Sequence, residues 1–307
     1  MPSQHQRPNS FIMQLRAVQR LSRWRQHVPY TIPLVLIGAL MATRTADTVP
    51  DWRLLTIMLA NILAMTFAFM INDVVDAQDD ALDAVKARKN VISQGLLTQS
   101  QAYSITVAVV ICALILYSLS GWPAGLAGIV IVALSFAYSV PPLRWKARPV
   151  LDVVSHVLML STLLMLSGYW VYYTPVGSAV WVLLAITSAS AYGQFYNQLD
   201  DFIVDQQAGL RNTAMWLGEQ GTRYALLISG ALTVLCLLVA IGQNLFPIGL
   251  LWVGLVTAFT LTLFEWDQDM RGNVSDASGQ IQRPILITLN IVALIWLLAQ
   301  WGLLGIG

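Results

Sequence analysis

Long apolar runs alternate with short polar breaks along almost the whole chain. A membrane-spanning helix needs about 20 mainly apolar residues. Nine segments approach that length: 28–43, 52–72, 102–120, 123–140, 150–173, 178–199, 224–243, 245–264 and 284–304, the first being the shortest. The breaks are of two kinds. "SGWP", "YTPVGS" and "GQNLFP" are short and carry no Lys or Arg, whereas residues 1–27, 73–100, 141–149, 200–223 and 265–283 are longer and charged. Lys and Arg concentrate in the second kind, so the positive-inside rule puts the N-terminus and all charged loops in the cytoplasm. Nine spans would leave the C-terminus outside. The pattern predicts an all-α, multi-pass membrane bundle whose larger polar loops share one face. Chemistry is expected on that face, because open loops must cover a cavity mouth or lie in water.

Composition sharpens this picture. The 307 residues are 57% hydrophobic and 11% charged, against about 25% charged in a soluble domain. The net charge is +1 and no basic stretch is dense, so nucleic acid is not an expected partner. Cys112 and Cys236 stand alone inside apolar runs and read as small buried hydrophobes. The first 27 residues contain no signal-peptide core. Their Arg16, Arg20 and Arg23 recur at helical spacing, which predicts an amphipathic helix on the membrane surface.

Two polar stretches interrupt this economy. "NDVVDAQDD" closes the second apolar run and "NQLDDFIVD" closes the sixth. Residues four apart on a helix share a face, drifting by about 40° per step. Asn72, Asp76 and Asp80 have that spacing, and Asn197, Asp201 and Asp205 repeat it 125 residues later. The matched register predicts an internal duplication, with one acidic helix end in each of two halves, 28–149 and 150–307, of a single domain. Carboxylate and amide oxygens in this number suit Mg²⁺, which takes phosphate oxygens as further ligands. Clustered carboxylates repel one another unless a cation sits among them.

Counter-charges lie close by in sequence. Lys86, Arg88 and Lys89 follow the first motif and Arg211 follows the second, while Arg144, Lys146 and Arg148 follow a helix-ending Pro-Pro. Such cations can clamp a diphosphate, although topology alone explains part of them. No phosphate-binding Gly-rich loop and no H-E-x-x-H motif occurs. His5, His27 and His156 are scattered, and His156, within the fifth span, reads as a core residue.

Taken together, "NDVVDAQDD", "DFIVD" followed by "QQAGLRNT", and "YSVPPLRWK" resemble the motifs of the UbiA superfamily of intramembrane prenyltransferases. The resemblance covers almost the whole chain. It implies a helical bundle of about nine spans around a central cavity open sideways to lipid, with Mg²⁺ held through a substrate diphosphate. Carried over by position, it implies that Asn72, Asp76 and Asp80 serve the first metal site and Asn197, Asp201 and Asp205 the second. Tyr138 and Lys146 would face the diphosphate. With the nearby cations read above, the expected diphosphate-binding set is Asn72, Asn197, Arg88, Lys89, Arg144, Lys146 and Arg211, and Asp76, Asp201, Tyr138 and Lys146 are expected to carry the catalysis. Asp73 matches the written motif but lies off the acidic face. One stretch departs from the family: "RKNVISQG", Arg88 to Gly95, lacks two prolines common there. That departure is similar to carotenoid-elongating members, whereas "PPLR" is similar to members acting on chlorophyllide or glycerol phosphates.

The expected function is Mg²⁺-dependent transfer of an isoprenyl group from an allylic diphosphate to a lipophilic acceptor: aromatic, tetrapyrrole, glycerol-phosphate or carotenoid. The expected location is a prokaryotic cell membrane, with lipid as the surrounding partner. Tyr169, Trp170, Tyr192, Phe195 and Tyr196 are candidate rings for a carbocation, although interfacial packing explains most of them. Two other readings compete. One is a terpene cyclase on the same scaffold. The other is a secondary carrier, which needs a site reachable from both sides, whereas both acidic motifs end helices on one face. The stretch from Glu265 to Pro284 reads as a flexible loop or a lid.

Overall fold

The structure is a computed structural model, and it describes residues 10–82, 84–207, 209–266 and 279–304. Each of the nine apolar segments lies in helix, and the helices extend past the apolar runs wherever polar residues find partners. The first begins earlier than expected. After α1 (Ser10–Leu21), α2 (Trp24–Ala46) has 23 residues, because His27 and Thr31 are buried within the protein. Next comes α3 (Trp52–Asp80), capped at its start by the Asp51 carboxylate, which accepts from the Arg53 N–H. A single turn, α4 (Ala84–Ala87), leads to α5 (Gln99–Leu119), which opens on a capping box of Thr98 and Gln101. α6 (Trp122–Ser139) follows with Pro123 in its first turn.

The fifth span is continuous but irregular. α7 (Leu151–Val157) passes through a π-turn at Leu158–Thr162 into α8 (Leu163–Trp170). Beyond it are α9 (Val180–Asp200), α10 (Phe202–Gln207), α11 (Thr213–Gly242), α12 (Ile248–Thr262) and α13 (Gly279–Gln300). Among the described residues, seven helices are long and apolar enough to cross a membrane. The other two of the nine fall short for different reasons. α12 has only 15 residues. α9 is long enough but carries Ser188, Ser190, Gln194, Asn197 and Gln198 in its second half.

α3 packs along α5, α2 along α8, and α9 along α11. Close approach of α2 to α8 depends on two glycines. A Cβ on Gly38 would stand 2.0 Å from the Met165 carbonyl oxygen, and one on Gly168 would stand 2.3 Å from that of Val35. Deeper in the bundle, buried Asn61 joins three helices. Its Nδ2 donates to Ser167 Oγ at 2.9 Å, and its Oδ1 accepts from Tyr117 Oη at 2.8 Å. Large apolar side chains such as Leu227 and Phe259 face outward, as expected of a surface solvated by lipid.

α1 is amphipathic as predicted, and one of its faces packs on the protein. Ala17 and Leu21 are buried against Met70, Val74, Val91 and Leu97 of the protein. Arg20 donates to Gln94 Oε1 at 3.1 Å and to the Arg88 carbonyl at 3.3 Å. The arginines mark the face that grips the bundle as much as any face toward lipid headgroups. The loop-or-lid question for Glu265 to Pro284 falls on residues 267–278, outside the described residues; Pro284 itself lies within α13.

Candidate active site

The first acidic motif occupies the last turns of α3. Asn72 and Asp76 lie on one face, half-buried. Lys146, from the segment after α6, donates to Asn72 Oδ1 at 2.9 Å and forms an ion pair with Asp76. Arg144 spans Asp76 at 3.4 Å and Asp79 at 2.9 Å. Ser139 Oγ also donates to Asn72 Oδ1, at 3.3 Å. Arg144 reaches this face from a left-handed backbone conformation, φ 38°. Burial lowers the Lys146 ammonium below its ordinary value, although the Asp76 carboxylate pulls the other way.

The other members of the motif have distinct surroundings. Asp80 accepts from Asn90 Nδ2 at 2.9 Å, and the same amide donates to the Asp73 carbonyl at 2.8 Å. Asn90 is fully buried. Asp73 turns away from the acidic face, as its spacing predicts, and pairs with Arg23 at 2.8 Å while itself only 2% exposed. Arg88 and Lys89 are exposed and form no ion pair among the described residues. In the "RKN" stretch it is therefore the asparagine, not the two cations, that engages the motif.

The second motif closes α9 and runs into α10. Asn197 and Asp205 are half-buried, and Asp201 is exposed. Asp205 accepts from Asn212 Nδ2 at 2.8 Å, and Asn212 Oδ1 in turn caps α11 through the Met215 N–H. In both motifs the final aspartate is thus held by an asparagine from the loop that follows. Burial raises the Asp205 carboxyl above its ordinary value, and the like charge of Asp201 adds to this; Asn212 opposes it. Arg211 is exposed without an ion pair among the described residues.

Tyr138 and Lys86 link the two motifs electrostatically. Tyr138 interacts with Gln194 of α9 and lies within electrostatic reach of Asp76, Asp152 and Asp205. Lys86, from α4, acts electrostatically on Asp205. Of the candidate rings, Tyr192, Phe195 and Tyr196 lie on the polar half of α9. Tyr169 and Trp170 bond the Pro175 and Thr174 carbonyls beyond the end of α8. They belong with Asp51 and Tyr172 at the start of α3, roughly 40 Å from its acidic end at 1.5 Å per residue. Sequence reading overlooked Asp79, Asn90 and Asp152.

The donor chemistry fits Mg²⁺. All the candidate ligands are hard oxygens. Among the described residues no three His, Cys, Asp or Glu side chains form a ready metal cage. An apolar crevice of about 1000 Å³ lies between α3, α5 and α6 and reaches Leu143 and Trp145, which flank Arg144. It opens on the outer surface of the bundle, not between the motifs.

Comparisons with known proteins bear on the fold and the family. A lycopene elongase/hydratase of Haloarcula japonica is 27% identical over 168 residues, a match that spans 52% of this chain and 52% of that enzyme. A UbiA homologue of Archaeoglobus fulgidus, solved with GPP and Mg²⁺, superposes with a TM-score of 0.66 over 96% of this chain and 99% of its own, at 20% identity. A digeranylgeranylglyceryl phosphate synthase superposes with a TM-score of 0.66 at 16% identity, over 94% of this chain and 98% of its own. At these identities the superpositions establish a shared fold. The model of the UbiA prenyltransferase family matches residues 31–277, and with seven helices able to cross a bilayer the chain is an integral membrane protein that belongs to this family.

Proposed function

We propose that the protein is a Mg²⁺-dependent intramembrane prenyltransferase. It moves an isoprenyl group from an allylic isoprenyl diphosphate to a lipophilic acceptor and releases diphosphate. The observation that carries this reading is the convergence of Asn72 and Asp76 with Lys146 and Arg144, with Tyr138 within electrostatic reach of both Asp76 and Asp205 of the second acidic motif. Asn72, Asp76, Asp80, Asn197, Asp201 and Asp205 would hold Mg²⁺ through the diphosphate. Bound there, Mg²⁺ neutralises charge that develops on the departing phosphate oxygens.

The chain's own groups do the rest. Lys146 and Arg144 already lie against carboxylates, and a diphosphate offers them denser negative charge in the same place. Tyr138 presents its hydroxyl to the same oxygens. The allylic C–O bond breaks with its electron pair going to the diphosphate. The electron-poor carbon then takes an electron pair from the acceptor, which gives up a proton. Arg88, Lys89 and Arg211, exposed on the flanking loops, supply further positive charge at the mouth. The positive-inside pattern supports a cytoplasmic location for this face.

For the acceptor, a linear carotenoid is the first candidate. Support comes from the sequence similarity to a lycopene elongase/hydratase and from the "RKN" stretch, whose asparagine takes the structural role. Glycerol phosphates are the second candidate, on the shared fold with digeranylgeranylglyceryl phosphate synthase.

The test uses purified protein in lipid vesicles, a panel of allylic isoprenyl diphosphates, and lycopene or a lipid extract as acceptor, with and without Mg²⁺. Diphosphate release and product mass are read together. Mg²⁺-dependent release with a product of acceptor plus prenyl mass is expected. Release with hydrocarbon alone means cyclisation, and no release from any donor rejects the proposal.

A further inference from the structure

Asp152 has no part in the transfer chemistry above, yet it is among the most constrained groups on the polar face. It is the second residue of α7 and only 1% exposed. No Lys, Arg or His forms an ion pair with it among the described residues. Its carboxylate is held by three donors. Gln198 Nε2 reaches Oδ2 at 2.7 Å and the Thr213 backbone N–H reaches the same oxygen at 2.8 Å, while the Thr213 hydroxyl donates to Oδ1. Thr213 Oγ1 in turn accepts from the Val150 N–H at 2.8 Å. Val150 is β-branched and held at φ 70°, a conformation that persists only where its surroundings enforce it.

Burying a carboxylate without a cation costs free energy even when hydrogen bonds compensate. A neutral side chain would fill the space more cheaply, so the charge calls for a reason. The partners supply one, because each is adjacent in sequence to a group of the second acidic motif or its support. Gln198 follows Asn197. Thr213 follows Asn212, whose amide holds Asp205. We infer that Asp152 is a positioning residue for the second acidic motif. It ties the end of α9 and the start of α11 to the start of α7, and so fixes Asn197 and Asp205 relative to each other. The inference rests on the reading of that motif as part of a Mg²⁺-diphosphate site.

Removing and then partly restoring the acceptors tests it. Asp152→Leu leaves the Gln198 amide, the Thr213 N–H and the Thr213 hydroxyl without their acceptor. The expected result is about a tenfold rise in the Mg²⁺ concentration for half-maximal activity and a similar rise in donor KM, with a smaller fall in kcat. Asp152→Asn keeps one oxygen for both the Gln198 amide and the Thr213 N–H, with its NH2 turned to the Thr213 hydroxyl, which can accept. It is expected to retain most of the Mg²⁺ affinity. Thermal unfolding of each variant checks folding. Should Asp152→Leu fail to fold, Thr213→Val removes one donor of the three and is expected to raise the Mg²⁺ requirement two- to threefold. Wild-type Mg²⁺ dependence in the variant that folds, or a loss in Asp152→Asn as large as in Asp152→Leu, overturns the inference while the transfer reading stands. Wild-type protein without Mg²⁺-dependent release overturns both.

Discussion

At the end of α3, Asp76 meets Lys146 and Arg144, Asp79 shares Arg144, and Asp80 takes the buried Asn90. At the end of α9 the corresponding Asp201 is exposed, and Asp205 has the neutral Asn212 as its hydrogen-bond partner. The Asn, Asp, Asp spacing is the same in both, but the partners of the last aspartate and the exposure of the middle one differ. The segment after α6 delivers two cations to the first motif. The second has a carboxyl raised by burial and by its acidic neighbour. On the proposed reading, the first end exchanges carboxylate partners for a diphosphate and the second recruits the metal ion. The residue after each motif asparagine shows a parallel contrast. Asp73 pairs with Arg23, a buried charge with a cation, whereas Gln198 serves a buried charge, Asp152.

The comparison can be broken most severely at its acids. Asp76→Asn and Asp201→Asn are each expected to lower turnover by about 10²–10³-fold, the scale of losing a group that stabilises developing charge, with both variants still inserted in the membrane. The asymmetry should appear in Mg²⁺ titrations, where Asp201→Asn shifts the requirement more than Asp76→Asn does. Lys146→Met comes next, with about a 10²-fold loss in kcat/KM measured by diphosphate release, felt largely in donor KM. Arg23→Met leaves Asp73 buried and unpaired. It is expected to cost about 3 kcal/mol in unfolding free energy, at the low end for a broken buried pair because Arg23 is partly exposed. Adding Asp73→Asn should recover part of that loss. The smallest effects belong to the supporting asparagines. Asn90→Ala and Asn212→Ala should each cost about 1.5–3 kcal/mol for a hydrogen bond to a charged group. Asn90→Ala should be the larger, since Asn90 also holds the Asp73 carbonyl.

What could be read from the sequence follows from what is local in it. Helical spans and the register of the two acidic motifs depend on spacing within one helix, and both were legible. The place of Lys146 at the diphosphate came from the family resemblance, since spacing does not bring Arg144 and Lys146 to Asp76, 68 and 70 residues away. Contacts between distant segments were not legible. Asp152 lies 46 residues from Gln198 and 61 from Thr213, and a single acid in "PVLDVVSHV" carries no spacing signal. Asn90 was hidden beside Arg88 and Lys89, because attention to charge favours cations whereas the loop buries the amide. The α1 arginines suggested a membrane face, and the packing of Ala17 and Leu21 on the protein was not visible in their spacing. The count of spans was limited by α9, whose polar half serves the site and therefore lowers the apolarity by which a span is recognised.

The central claim is that the two acidic helix ends hold one diphosphate together with Mg²⁺. Calorimetric binding of an unreactive allylic thiolodiphosphate to wild type, Asp76→Asn and Asp201→Asn, with Mg²⁺ and with EDTA, tests it most directly. The account predicts tight binding by wild type with Mg²⁺, loss of that binding with EDTA, and at least tenfold weaker binding by each variant. Equal binding with EDTA, or wild-type affinity in either variant, would contradict it.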